Sequence, residues 1–170
     1  MKIELKKLKI ALHLSEETTA FTADIAVNGM NVGYAKNDGH GGATFYNCNP
    51  EPECRVLLKR AETHCLSLPA IQYNGSFGPM EIEMNLEQFI DNLVEDELKK
   101  KDRKQLEKRM EKSIMWGVPN SISYTEIKQK QPLSSYNVVA LQGLVDDIKK
   151  RFKTGEQFLN TNFEKLGIKI

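Results

Sequence analysis

Three observations predict an α+β fold: a mostly antiparallel sheet with an N-terminal β-hairpin, flanked by two or three helices including one long helix. Phe21, Ala23, Ile25 and Val27 alternate with Thr22, Asp24 and Ala26, the period of a half-buried strand, and run directly into Asn28-Gly29. Cys54, Leu57, Leu58, Ala61 and Cys65 recur at three- and four-residue steps, which puts them on one helical face. Behind Asn85, the residues Phe89, Ile90, Leu93, Val94 and Leu98 form a wide apolar stripe that opens a much longer helix. The 170 residues read as one domain spanning 1–170.

In order along the chain, Ile3, Leu5, Leu8 and Ile10 sit among lysines at period two with one slip, which predicts a first strand carrying a bulge. The second strand ends at Asn28-Gly29, because a type I′ turn needs positive φ at both central residues. Val32 and Tyr34 continue the return strand. A glycine-rich hexad follows at Asn37-Asp38-Gly39-His40-Gly41-Gly42, then an extended Ala43-Thr44-Phe45-Tyr46. The first helix ends before Pro69, residues 70–79 read as loop, and Met80, Ile82 and Met84 alternate as a short strand. Asn85 caps the long helix, with Gln88 three residues on. This helix runs from about 86 to 116, stopping at Gly117 before Pro119, and projects as an arm, with its basic half at 99–112. Ile122 and Tyr124 suggest a strand closed off by Pro132, and Ser134 or Ser135 caps a helix bearing Val138, Leu141, Leu144, Val145, Ile148 and Phe152. Phe158-Leu159 makes a last short strand, and the 166–170 tail returns apolar residues to the core.

The net charge of +1 argues against a whole-molecule field for nucleic acid or membrane, so basic surface is local. No run approaches the roughly 20 apolar residues of a membrane span. The opening residues alternate lysines with apolar side chains, unlike a secretion signal. With three cysteines, an odd number, the expectation is a cytoplasmic protein with free thiols and no membrane contact.

The hexad draws the first functional reading. Its three glycines let backbone N–H groups converge on an anion, and Asp38 and His40 add a carboxylate and a titratable imidazole. It is neither a P-loop, since no Gly-Lys-Ser/Thr follows, nor a dinucleotide fingerprint, which lies between a strand and a helix. The bland alternative is a glycine-rich connection between strands. Cys48, Cys54, His64 and Cys65 lack the usual zinc spacing, and Cys54 and Cys65 fit a buried helix face, so no metal or cofactor is expected. Lys99, Lys100, Lys101, Arg103, Lys104, Lys108, Arg109 and Lys112 make the second half of the long helix basic, either to meet phosphates or as a solvated face. Trp116 either packs into core or lines a pocket mouth.

At ETTAFTADIAVNGMNVGYAKNDGHGG, PMEIEMNLEQFIDNLVEDEL and MWGVPNSISY the chain resembles a family of small uncharacterised bacteriophage and prophage proteins. The resemblance implies a protein made in infected cells, in the host cytoplasm, where small proteins of this kind counter host defence. One such strategy is to sequester nucleotide-derived signals without cleaving them. The expectation is therefore a non-enzymatic anti-defence protein, a homo-oligomer through the long helix, holding a phosphorylated or nucleotide-derived small molecule against the 37–42 loop. Asn37, Gly39, Gly41 and Gly42 supply donors, Asp38 and His40 complete the loop, and His40 contacts phosphate. Lys36, Lys100 and Lys104 neutralise charge, and Tyr34, Tyr46 or Trp116 stacks on a base. Two alternatives stand beside it: a phosphodiesterase or nuclease using His40 and Asp38, and an inhibitor binding a host defence protein or nucleic acid through the basic helix 99–112.

Overall fold

A computed structural model describes residues 1–75, 78–119, 121 and 123–170, with the backbone alone at 73–75. The chain divides into two compact units, Met1–Leu98 and Lys99–Ile170, where the sequence reads as one domain.

The first unit is built on a four-stranded antiparallel sheet in the order β1-β2-β3-β4. Its strands are β1 (Ile3–Ile10), β2 (Phe21–Val27), β3 (Met30–Asn37) and β4 (Phe45–Cys48). The period slip in β1 is a bulge: the register with β2 shifts between Lys6 and Lys9, and Lys7 adopts φ 49°. Asn28 and Gly29 take φ 50° and 89°, as the I′ turn requires. That turn fixes the β2–β3 register, so Phe21, Ala23 and Ile25 all point to one face. Helix α1 (Pro52–Leu66) lays Cys54, Leu58, Ala61 and Cys65 on that face, and Leu86, Ile90 and Val94 join the same core. They belong to α2 (Leu86–Met110), whose N-terminus is capped as expected: Gln88 N donates to Asn85 Oδ1 at 2.7 Å.

Residues 70–79, read as loop, instead enter a hairpin of β5 (Ile71–Gly75) and β6 (Gly78–Ile82), its turn lying outside the described residues. Asn74, Gly75 and Gly78 pair within the ladder, so their turn-forming composition does not distinguish a hairpin from a free loop.

α2 ends at Met110, not near 116, and spans 25 residues. Its last turn is closed by distant chain: Asn162 Nδ2 donates to the Met110 carbonyl at 3.0 Å. Residues 113–116, read as the end of that helix, lie instead in strand β7 (Ser113–Gly117), buried along its length and central to the second unit's sheet β8-β7-β9. Its partners are β8 (Thr125–Lys128) and β9 (Gln157–Phe158); the expected strand start at Ile122 lies outside the described residues. Asn160, just past β9, extends the ladder with its side chain. Its Oδ1 accepts from Met115 N at 2.7 Å, and its Nδ2 donates to Ser113 O at 2.8 Å. Helix α3 (Val138–Lys149) is capped by Asn137, which accepts from Val139 N at 2.8 Å, rather than by Ser134 or Ser135, which lie in a 3-10 turn. Leu141, Val145 and Ile148 pack with Ile114, Trp116, Leu133, Phe158, Phe163 and Ile168 into this unit's own core.

Candidate functional site

The hexad is stitched together by Asn37, which is buried. Its Oδ1 accepts from Thr18 Oγ1 at 2.9 Å and Gly39 N at 2.8 Å; its Nδ2 donates to Gly42 O at 2.9 Å and Thr44 Oγ1 at 3.1 Å. Gly41 N donates to Thr18 Oγ1 at 3.2 Å. The amides of Gly39 and Gly41 are thus spent inside the loop. The convergent amides lie in the preceding connection: Glu16, Glu17 and Thr18 all donate to the Gly39 carbonyl, at 2.9, 3.1 and 3.3 Å. Gly39 at φ 90° is the guest of that nest, and a Cβ there would be driven into the Leu14 carbonyl. Asn37, Gly39 and Gly41 therefore hold the loop's own shape, which removes the anion cradle expected of them.

Charge points the same way. A cavity of about 250 Å³ beside the loop is lined by Thr18, Asn37, Gly42, Val94 and the carboxylates Asp91 and Glu95. Thr44 ties the loop to α2, its amide donating to Glu87 Oε1 at 3.0 Å and its hydroxyl to Asp91 Oδ1 at 2.6 Å. Burial pushes the Asp91 carboxyl above the ordinary range, the Thr44 hydrogen bond opposes this, and Glu87 adds to it. A phosphate here would meet carboxylates.

The direction of that shift makes a prediction. The folded chain holds the Asp91 proton more tightly than the unfolded chain. Its contribution to stability is thus greatest below the ordinary carboxylate pKa and falls as pH rises through the elevated folded value. Asp91→Asn keeps an acceptor for Thr44 and removes the titration. In urea unfolding from pH about 4 upward, the variant is expected to gain steadily on the wild type. Parallel stability curves would refute the assignment.

His40 and Asp38 do not form a pair. His40 Nδ1 lies 3.2 Å from Glu16 Oε2, and Asp38 Oδ2 lies 3.6 Å from Lys36 Nζ, all near the surface. Tyr46 turns to the core side of the sheet and donates to Glu62 Oε1 at 3.1 Å. Burial first, then the Glu62 charge, pushes its phenol up to about 12. Trp116 is buried in the second unit, 6.5 Å from Phe152 in a stack, so its ring offers no face to a base there. Lys100 and Lys104 lie on the second-unit half of α2, outside the unit that holds the loop.

Tyr34 and Lys36 come together with residues the sequence did not single out. Odd-numbered positions of β3 from Gly33 face the core, so Tyr34 and Lys36 face outward. The register aligns Lys6, Asp24, Tyr34 and Asn47 in one row across the sheet, and Lys9, Thr22, Lys36 and Phe45 in the next. Tyr34 and Phe45 are diagonal neighbours, ring centroids 6.1 Å apart and tilted by 49°, and 42% and 49% exposed. Lys7 pairs with Asp24 at 2.8 Å, whereas Lys9 has no acidic partner among the described residues. Two adjacent aromatic rings thus stand open on the outer surface, with Lys36 directly across from Phe45 and Lys9 two strands further along the same row. Phe45 was hidden in the sequence because the β4 register depends on the loop before it; Lys9 was hidden because the bulge resets parity after Lys6.

Comparison with family models, with curated proteins and with solved structures finds no match for this chain. Among the described residues, no helix is long and apolar enough to cross a membrane.

Proposed function

We propose that the chain is a non-enzymatic binding protein that holds a nucleotide-derived ligand on the open face of its first-unit sheet. The observation that carries this is the exposed Tyr34–Phe45 pair, with Lys36 and Lys9 in the row of Phe45. An antiparallel sheet presenting aromatic rings with lysines in the same rows suits stacked bases with phosphates alongside. Stacking accepts any base, so the face selects for an unstacked base and a phosphate rather than for a sequence. It replaces the 37–42 loop as the seat of the ligand, and the loop becomes the rigid border of β3. Together with the resemblance to phage proteins, the reading is sequestration of such a ligand in the host cell.

Calorimetry with a cyclic dinucleotide and its linear counterpart tests it. Stacking on an aromatic side chain is worth about 1–3 kcal/mol per base, so Tyr34→Ala and Phe45→Ala are each expected to weaken binding at least about fivefold. Both side chains are exposed on the sheet's outer surface, so the fold is expected to survive their removal. Chromatography of the released ligand should return it intact. Equal affinity in the double variant would overturn the assignment, and a cleaved ligand would favour the phosphodiesterase reading.

A further inference from the structure

The second unit contains a cavity of about 630 Å³, within the range of small-molecule pockets. Its lining includes Met110 and Met115, both buried, the half-buried Leu159, and Leu106 and Tyr124 at more exposed positions. Arg103 lines the same space from an exposed turn of α2.

Two features make this more than an apolar hollow. The Tyr124 ring is held in place: the Arg109 guanidinium lies 5.6 Å over its centroid, Arg109 is paired with Glu126, and Glu126 accepts from Ser113 Oγ at 2.7 Å. That network consumes Arg109 and leaves Arg103 as the arginine facing the cavity. Arg103 has no ion pair among the described residues. Its helical neighbour Glu107 is four residues towards the C-terminus, the weaker arrangement for an intrahelical pair, and also lines the cavity.

We propose that this cavity binds a small aromatic monoanion. The aromatic body would pack against Leu106, Leu159 and the fixed Tyr124 ring, the last in an offset or edge-to-face contact. Its carboxylate would take the fork of Arg103, a charge-assisted pairing that a lysine would not match in geometry. Glu107 sets the limit of one charge, because a dianion would place its second charge against that carboxylate. The site lies within the second unit and does not depend on the sheet face of the first.

Calorimetry of the full chain with naphthoate and with neutral naphthylmethanol tests the proposal. Naphthoate is expected to bind saturably and more tightly than the alcohol. Arg103→Gln should cost naphthoate about tenfold, the scale of one hydrogen bond to a charged group, while leaving the alcohol unchanged. Leu159→Phe, which narrows the cavity, should weaken both. Arg103 is exposed on its helix, so its variant decides the matter even if Leu159→Phe disturbs packing, as emission from Trp116 would report. Equal affinity for the acid and the alcohol, unchanged naphthoate binding in Arg103→Gln, or no saturable heat at millimolar naphthoate would each overturn it.

Discussion

Replacing Asn160 by alanine is expected to cost the second unit about 4 kcal/mol, among the largest effects of any single polar substitution in the chain. The side chain completes the ladder of β7 where β9 has already ended. Without it, the Met115 N–H and the Ser113 carbonyl lose their partners inside a strand whose residues are all buried. Each unpaired buried group costs about 1–3 kcal/mol, and no water can reach a strand enclosed on both faces as readily as an edge. Trp116, the chain's one tryptophan, lies in β7 and reports directly. Urea unfolding followed by its emission should show a lowered midpoint at unchanged slope. Asn160→Asp separates the two bonds: the carboxylate still accepts from Met115 N but faces the Ser113 carbonyl with oxygen. It should be no better than alanine at neutral pH. Wild-type stability in Asn160→Ala would mean that the amide is incidental to the strand.

Asn37→Ala is expected to cost the first unit about 3 kcal/mol, for a related reason. The buried amide serves four partners in a loop that has little hydrophobic packing of its own. Its loss strands the Gly39 amide and frees the Thr18 hydroxyl, which in turn held the Gly41 amide. Hydrogen exchange at Glu16, Glu17 and Thr18 is the sharpest measurement, because all three amides rest on the Gly39 carbonyl. They should exchange much faster in the variant while amides in the middle of β2 change far less. Unchanged protection at these amides would show that the loop holds its shape without Asn37.

The elements that could be read in advance are those whose cause is local. Asn28-Gly29 dictates its own turn, the slip between Leu5 and Leu8 marks the bulge, and Asn85 caps α2 through a neighbour three residues away. The end of α2 has no local cause. Glu111, Lys112 and Ser113 break nothing by themselves, and Asn162 arrives from the far end of the chain to close the helix at Met110. β7 was equally opaque, since a strand buried on both faces has no alternation to betray it. The site follows the same division. Tyr34 and Lys36 carry chemistry legible in the sequence, but their neighbours across the sheet depend on registers that only the folded ladder sets. Glycines in the hexad announce unusual backbone, yet the same freedom serves a loop that receives an anion and one whose carbonyl is itself received.

The bulge at Lys7 bears on how the protein behaves when concentrated. β1 is an outermost strand, and a flat edge invites another chain to pair with it. At φ 49° Lys7 interrupts the even spacing of ladder groups after Lys6, so an incoming strand loses register midway. Lys6 and Lys9, which have no carboxylate partner among the described residues, add repulsion between copies approaching edge to edge. These features guard the β1 edge, at the opposite side of the sheet from the β3–β4 aromatic pair.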